Sequence, residues 1–253
     1  MIDCEMANKS NKNKKVAVFT GTRAEYGLLF WILKEIQQST AELQLLVGGM
    51  HLSPEFGYTI RQIEDDGFEI SDKLEFLLSS ESAVGITKSL GLATISAAES
   101  LARLKPDVLV LLGDRFEALA IAQAAMIAHV PIAHIHGGEL TEGVIDDAIR
   151  HSITKMSHLH FTSTQEYRQR VIQLGESPER VFHFGAPGID NLSKLTFLSR
   201  EALLSSLSLS WQNDFALMTY HPLTLSEEGG KAALLSLLNV LESDTSLNIL
   251  ITY

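Results

Sequence analysis

One feature constrains this chain more than any other: short apolar runs rich in β-branched residues alternate with longer amphipathic stretches. The runs read as strands over 15–20 (KVAVFT), 43–48, 68–73, 107–113, 131–136, 158–163 and 180–185. The intervening stretches at 25–38, 57–66, 82–104, 115–129, 145–157 and 164–173 carry helical periodicity. Near-continuous apolar strands separated by helices predict a parallel sheet covered on both faces. Short links between them predict an α/β, doubly wound, Rossmann-like sheet with right-handed crossovers. Ligands of such sheets bind outside the carboxyl ends of the strands.

The pattern then restarts. Helices near 187–194 and 200–207 precede a strand over 214–220, a helix over 227–242 and a strand over 247–253. The expected organisation is a polar, lysine-rich disordered tail (1–14), a Rossmann-like domain (15–195) and the start of a second, incomplete α/β domain (196–253).

Composition narrows the partners. The 253 residues carry a formal net charge of −11, which disfavours nucleic acid and anionic membrane as partners. A local set of backbone N–H groups and one or two arginines can still hold a phosphate. The single cysteine, Cys4, rules out a disulfide framework or a cysteine metal site within one chain. The N-terminal stretch lacks the apolar region of a secretory signal, and no run reaches the roughly 18–20 apolar residues of a membrane span. The expected compartment is therefore the cytoplasm.

The polar residues that stand out follow strands. Gly21, Thr22 and Arg23 close the first strand, where glycine permits close approach and the next helix opens toward an anion. This is not the three-glycine dinucleotide fingerprint. Asp114 and Arg115 follow the fourth strand, as a proton acceptor and anion binder or as a helix cap with a surface arginine. His221 before Pro222 follows the strand over 214–220, as a turn or as a phosphate donor.

The densest stretch is HIHGGELTEGVIDDAIRHSITKMSHLHF (134–161). His134 and His136 lead into a Gly137–Gly138 bend and Glu139. Asp146 and Asp147 open a helix, and the spacing pairs Asp146 with Arg150 and Asp147 with His151. Histidines and carboxylates are plentiful, yet no fixed metal-ligand spacing occurs, and no metal is expected. Capping and ion pairs account for the aspartates. They do not account for a Gly-Gly bend carrying His and Glu after a buried strand, whereas acid–base chemistry does.

Taken together, GTRAEYG, GMHLSPEFGYT, LLGDRFEALA, HIHGGELTEGVIDDAIRHSITKMSHLHFTSTQEY, RVIQLGE and YHPLT resemble the hydrolysing UDP-N-acetylglucosamine 2-epimerases of sialic acid biosynthesis. They resemble equally the GDP-sugar 2-epimerases that make the legionaminic acid precursor. The resemblance runs from about Lys15 to Tyr253. It implies a GT-B-like pair of Rossmann-like domains with the sugar nucleotide, UDP- or GDP-linked, between them. It also implies C2 deprotonation, loss of the nucleoside diphosphate and hydration of the resulting glycal, giving N-acetylmannosamine and UDP or the GDP-derived equivalents. No cofactor is implied, and relatives assemble as homo-oligomers, dimers or tetramers, for which the helix over 82–104 is the expected interface.

Residue by residue, the resemblance makes Arg23 a phosphate-side arginine, Asp114 catalytic, Arg115 a substrate contact and His221 a nucleotide-binding histidine. One of Asp146 and Asp147 is implied to be catalytic. Leu28 stands near where non-hydrolysing relatives carry a lysine. His136 stands where many relatives have a glutamate, so the acid–base role there falls to His136 or Glu139. The family's second domain continues beyond residue 253, so the 253-residue chain is expected to bind nucleotide poorly and turn over little. The competing readings are an inactive fragment and a glycosyltransferase of the same architecture. The His-Gly-Gly-Glu and Asp-Asp loops argue against transfer.

Overall fold

The computed structural model describes residues 13–80, 82–142, 144–220, 230–243 and 248–252. The chain divides into two compact units. One comprises the chain up to Leu140 together with Asp146–Leu192. The other comprises Thr141–Ile145 with the residues from Ser193 onward.

Among the described residues, seven parallel strands form the sheet of the first unit: β1 (Lys15–Thr20), β2 (Glu42–Gly48), β3 (Ile70–Leu74), β4 (Val108–Leu112), β5 (Ile132–Ile135), β6 (Leu159–Thr162) and β7 (Val181–His183). Their spatial order is β3-β2-β1-β4-β5-β6-β7. The chain winds outward in one direction through β2 and β3, then returns beside β1 and winds the other way. β1 and β4 therefore flank the switch point, where the loops at the carboxyl ends diverge and leave a crevice.

The helices are α1 (Arg23–Gln38), α2 (Ile60–Asp65), α3 (Ala83–Leu104), α4 (Phe116–Ile127), α5 (Asp146–Met156) and α6 (Gln165–Gln173). Tyr26, Leu29 and Leu33 of α1, with Ile60 and Ile63 of α2, pack on Val18, Leu45, Val47 and Val110. On the opposite face, Ala93 and Ala97 of α3, Ala118 and Ile121 of α4, and Ile149 and Ile153 of α5 cover Ala17, Phe19, Leu109 and Leu111. Each fully buried leucine or isoleucine contributes about 1.5–3 kcal/mol. The alanines let α3 and α4 approach closely. On the α1 face, a cavity of about 430 Å³ lies over β4–β6, lined by Val110, Ala133, Ile135, Phe161 and Phe184.

Several expected elements are shorter than the sequence suggests. The helix expected over 57–66 is α2, preceded by 3₁₀ turns at Gly49–Leu52 and Pro54–Phe56. Gly57 (φ 84°) and Tyr58 (φ 48°) adopt left-handed conformations that stop helix from forming earlier. The third strand starts at Ile70 because Phe68 turns into the core instead. The helix expected near 187–194 splits into a 3₁₀ turn, Pro187–Ile189, and α7 (Asp190–Lys194). At the other end, Lys14 already belongs to the folded edge, its carbonyl accepting from Glu42 N at 2.8 Å.

In the second unit, α8 (Arg200–Ser206), β8 (Phe215–Thr219), α9 (Lys231–Glu242) and β9 (Asn248–Thr252) are described, with β8 and β9 paired in parallel. No described helix is long and apolar enough to cross a membrane.

Candidate active site

The carboxyl ends of four adjacent strands, β1, β4, β5 and β6, gather the polar residues of the first unit. At β1, Thr22 caps α1 by accepting from Glu25 N, and Glu25 accepts from Gly21 N at 2.7 Å and Thr22 N at 3.2 Å. This reciprocal capping box uses the donors nearest the turn for the chain itself. Thr22 is therefore buried and committed to the cap. Arg23 is exposed at the helix start and makes no ion pair with a described residue, so it is the side chain available to an anion there.

At β4, Asp114 and Arg115 follow Gly113, whose φ of 78° turns the chain away from the sheet. Arg115 donates to the carboxylate of Glu117 at 3.2–3.4 Å. Glu117 is fully buried. Burial works against the Arg115 charge, but Glu117, Glu25 and Asp146 more than offset it and hold the guanidinium protonated. Glu25 is pushed up to about 7, chiefly by burial and further by the Glu117 charge, against the pull of its backbone donors and Arg115.

At β5, the two histidines separate in role. His134 is completely buried, and its Nε2 donates to Gly113 O at 2.7 Å. Burial lowers its pKa to about 4, so it is neutral and ties β4 to β5. His136 follows the strand with φ 67°, a left-handed backbone unusual for a residue with a side chain. Its Nδ1 lies 2.6 Å from Glu139 Oε1, and Ser163, at the end of β6, donates to the same oxygen at 2.8 Å. Burial alone would raise the Glu139 pKa. The hydrogen bonds from His136 and Ser163 and the nearby Arg150 charge outweigh it and hold Glu139 below the ordinary carboxylate range. An ionised carboxylate only accepts, so Nδ1 carries the proton. Nε2 is left buried with no hydrogen-bond partner among the described residues.

Arg150 of α5 ties these groups together. Its side chain is 4% exposed and bonds Asp114, the Glu139 carbonyl at 2.8 Å and Asp147 at 3.4 Å. Arg150 reaches across to the β4 loop, and it acts on Asp146, one turn before it in α5, through its charge. Asp147 does meet His151, at 3.6 Å. Asp146 is raised by burial and by the charge of Asp114, against Arg115 and Arg150. The site thus holds one carboxyl biased toward keeping its proton and one imidazole nitrogen without a hydrogen-bond partner among the described residues, a pairing that suits acid–base chemistry. His221 lies outside the described residues. No group of three His, Cys, Asp or Glu able to hold a metal ion occurs among the described residues.

Glu25, Glu117 and Ser163 did not stand out as site residues. Glu25 was legible as the fourth residue of a Thr-x-x-Glu capping box. Glu117 and Ser163 carry no local signal.

Comparison with known proteins bears on what this constellation serves. The family model described as UDP-N-acetylglucosamine 2-epimerase matches residues 34–253. The chain belongs to this family. Within the family, it is 40% identical over 240 residues to the GDP/UDP-N,N'-diacetylbacillosamine 2-epimerase (hydrolyzing) of Campylobacter jejuni, covering 94% of this chain and 62% of that protein. It is 38% identical over 216 residues to the polysialic acid biosynthesis protein P7 of Escherichia coli, covering 85% and 55%. The chain thus spans about 62% or less of the length of these relatives. Among solved structures, UDP-GlcNAc 2-epimerase from Neisseria meningitidis, bound to UDP-GlcNAc, superposes with a TM-score of 0.77 at 20% identity, covering 94% of this chain and 65% of that one. At that identity the likeness establishes the family's GT-B-like fold.

Proposed function

We propose that the protein is a hydrolysing nucleotide-sugar 2-epimerase that converts UDP-N-acetylglucosamine to N-acetylmannosamine and UDP. The reading is carried, in a member of this family, by one cluster: Asp114, Asp147 and the Glu139 carbonyl on the buried Arg150, His136 on the Glu139 carboxylate, and Asp146 in the field of Asp114 and Arg150. In the first step, His136 Nε2, oriented by Glu139, takes the proton from sugar C2. The C1–O bond breaks, and its electron pair leaves with the nucleoside diphosphate. Arg23 and Arg115 stabilise the charge that develops on the phosphate oxygens, with His221 as a further nucleotide contact. In the second step, water adds across the glycal double bond: its hydroxyl goes to C1, a proton goes to C2 on the opposite face, and the proton that the water gives up replaces the one its donor has lost. Asp146, biased toward its protonated form and flanked by Asp114 and Asp147, is the proton donor.

A second substrate reading has its own support. Two relatives, at 40% and 37% identity, are named for diacetylbacillosamine nucleotides, against 31% for a UDP-N-acetylglucosamine 2-epimerase. The GDP- or UDP-linked diacetamido sugar is therefore the alternative substrate. The same proposal includes a cytoplasmic homo-oligomer joined through α3, where Val84, Leu92 and Ile95 are exposed. Sedimentation of the Ile95→Glu variant would report a monomer if that interface is correct.

Incubation with each nucleotide sugar in D2O, followed by NMR, tests the chemistry. The expected products are one nucleoside diphosphate and one free sugar bearing deuterium at C2. A product that retains its C2 proton, or whose sugar passes to an acceptor, would reject the epimerase reading.

A further inference from the structure

We propose that Ser163 is a positioning residue: with Glu139 it fixes His136 in the tautomer that bears its proton on Nδ1 and leaves Nε2 as the basic nitrogen. The proposal rests on the acid–base reading of His136 given above and assigns a role to a residue outside that set.

The backbone brings the three groups together. β6 is the hydrogen-bonded neighbour of β5, and the ladder continues past β5, with His136 N donating to Phe161 O at 3.0 Å. Ser163 is two residues beyond Phe161, so His136 and Ser163 emerge side by side at the sheet's carboxyl edge. Glu139 comes back to them from the far side of the Gly137–Gly138 bend. Both donors then converge on one atom, Glu139 Oε1, at 2.6 and 2.8 Å.

That convergence has a chemical consequence. An oxygen that receives an O–H and an N–H together must act as an acceptor. A glutamate on a flexible stem with only one anchor samples other rotamers, and in some of them the imidazole is free to exchange tautomers. The serine hydroxyl supplies the second anchor. With both in place, His136 presents its unprotonated nitrogen in one direction.

The obvious structural duty for Ser163, capping α6, is already taken. Thr164 is the N-cap of that helix, its side chain accepting from Tyr167 N at 3.2 Å. Ser163 makes no contribution there, and its side chain turns to Glu139.

The test is nitrogen-15 NMR on the histidine-labelled 253-residue chain, with wild type, Ser163→Ala and Ser163→Thr compared. The wild-type His136 should show a single Nδ1–H tautomer. Ser163→Ala should show a mixture, and Ser163→Thr, which keeps the hydroxyl, should restore the wild-type signature. In the active enzyme, Ser163→Ala should lower kcat about tenfold with KM nearly unchanged, roughly what one hydrogen bond to a charged group is worth. An unchanged tautomer in a folded Ser163→Ala protein would overturn the proposal. The NMR readout needs no substrate. A tautomer shift in a protein without epimerase activity would uphold the positioning role while removing the proposed function.

Discussion

Gly138 has a φ of 83°, and a β-carbon added to it would lie 2.5 Å from the Tyr167 carbonyl oxygen of α6. Neither the angle nor the contact can relax without moving the bend that carries Glu139 back to His136. Gly137 beside it is tight too, with a β-carbon 3.1 Å from Thr154 Oγ1. Gly138→Ala is therefore expected to cost about 1–3 kcal/mol of stability and to lower kcat far more than Gly137→Ala. Chemical denaturation and steady-state kinetics of the two variants would check both points; a Gly138→Ala enzyme with wild-type kcat would show that the bend does not set the geometry. The Gly-Gly-Glu string was legible as a bend after a buried strand. What each residue does in it was not. The roles of His134 and His136 differ because one is enclosed between β4 and α5 while the other has left the strand, and that distinction is tertiary. Likewise, the partner of Arg150 on the β4 loop lies 36 residues away in the chain, beyond anything helical spacing can reveal.

At the scale of elements, β1, β4 and β5 fell within a residue of their expected limits, because apolar runs bounded by Gly, Pro and Asp leave little choice. The region between β2 and β3 was harder to read, since left-handed Gly57 and Tyr58 interrupt a pattern that hydrophobic spacing alone continues. The β1–α1 junction yields a pH prediction. Glu25 sits well above its ordinary value of 4.5, at about 7, so the folded state holds a proton there that the unfolded chain gives up. The stability this contributes is complete below about 4.5 and is lost as pH rises through about 7. Glu25→Gln keeps an oxygen to accept from Gly21 and Thr22 but has no charge to bury. Its stability should match wild type near pH 4 and exceed it near pH 8, by an amount on the order of 1–3 kcal/mol. Melting curves at the two pH values decide it; a difference independent of pH would mean that Glu25 is not the titrating group.

At the scale of the whole molecule, the two units differ in how much apolar surface they bury. In the first, Ala17, Val18, Leu45, Leu46, Leu109 and Leu111 are completely enclosed. In the second, β8, α9 and β9 have no buried residue among those described, and Leu217 and Val240 remain 65% and 67% exposed. Backbone hydrogen bonds without apolar cover open at little free-energy cost, whereas those of a buried central strand open only with the whole domain. Hydrogen exchange should therefore be slow in Val16–Thr20 and Val108–Leu112, with protection approaching the global unfolding free energy. It should be faster by several orders of magnitude in Phe215–Thr219 and Lys231–Glu242. The residues proposed for acid–base chemistry lie in the first unit, so mild denaturant that abolishes protection of β8 and β9 should leave the His136 imidazole signal of the native state in place. Equal protection of β4 and β8 would instead require the two units to unfold as one, and the second to bury its leucines against a partner surface.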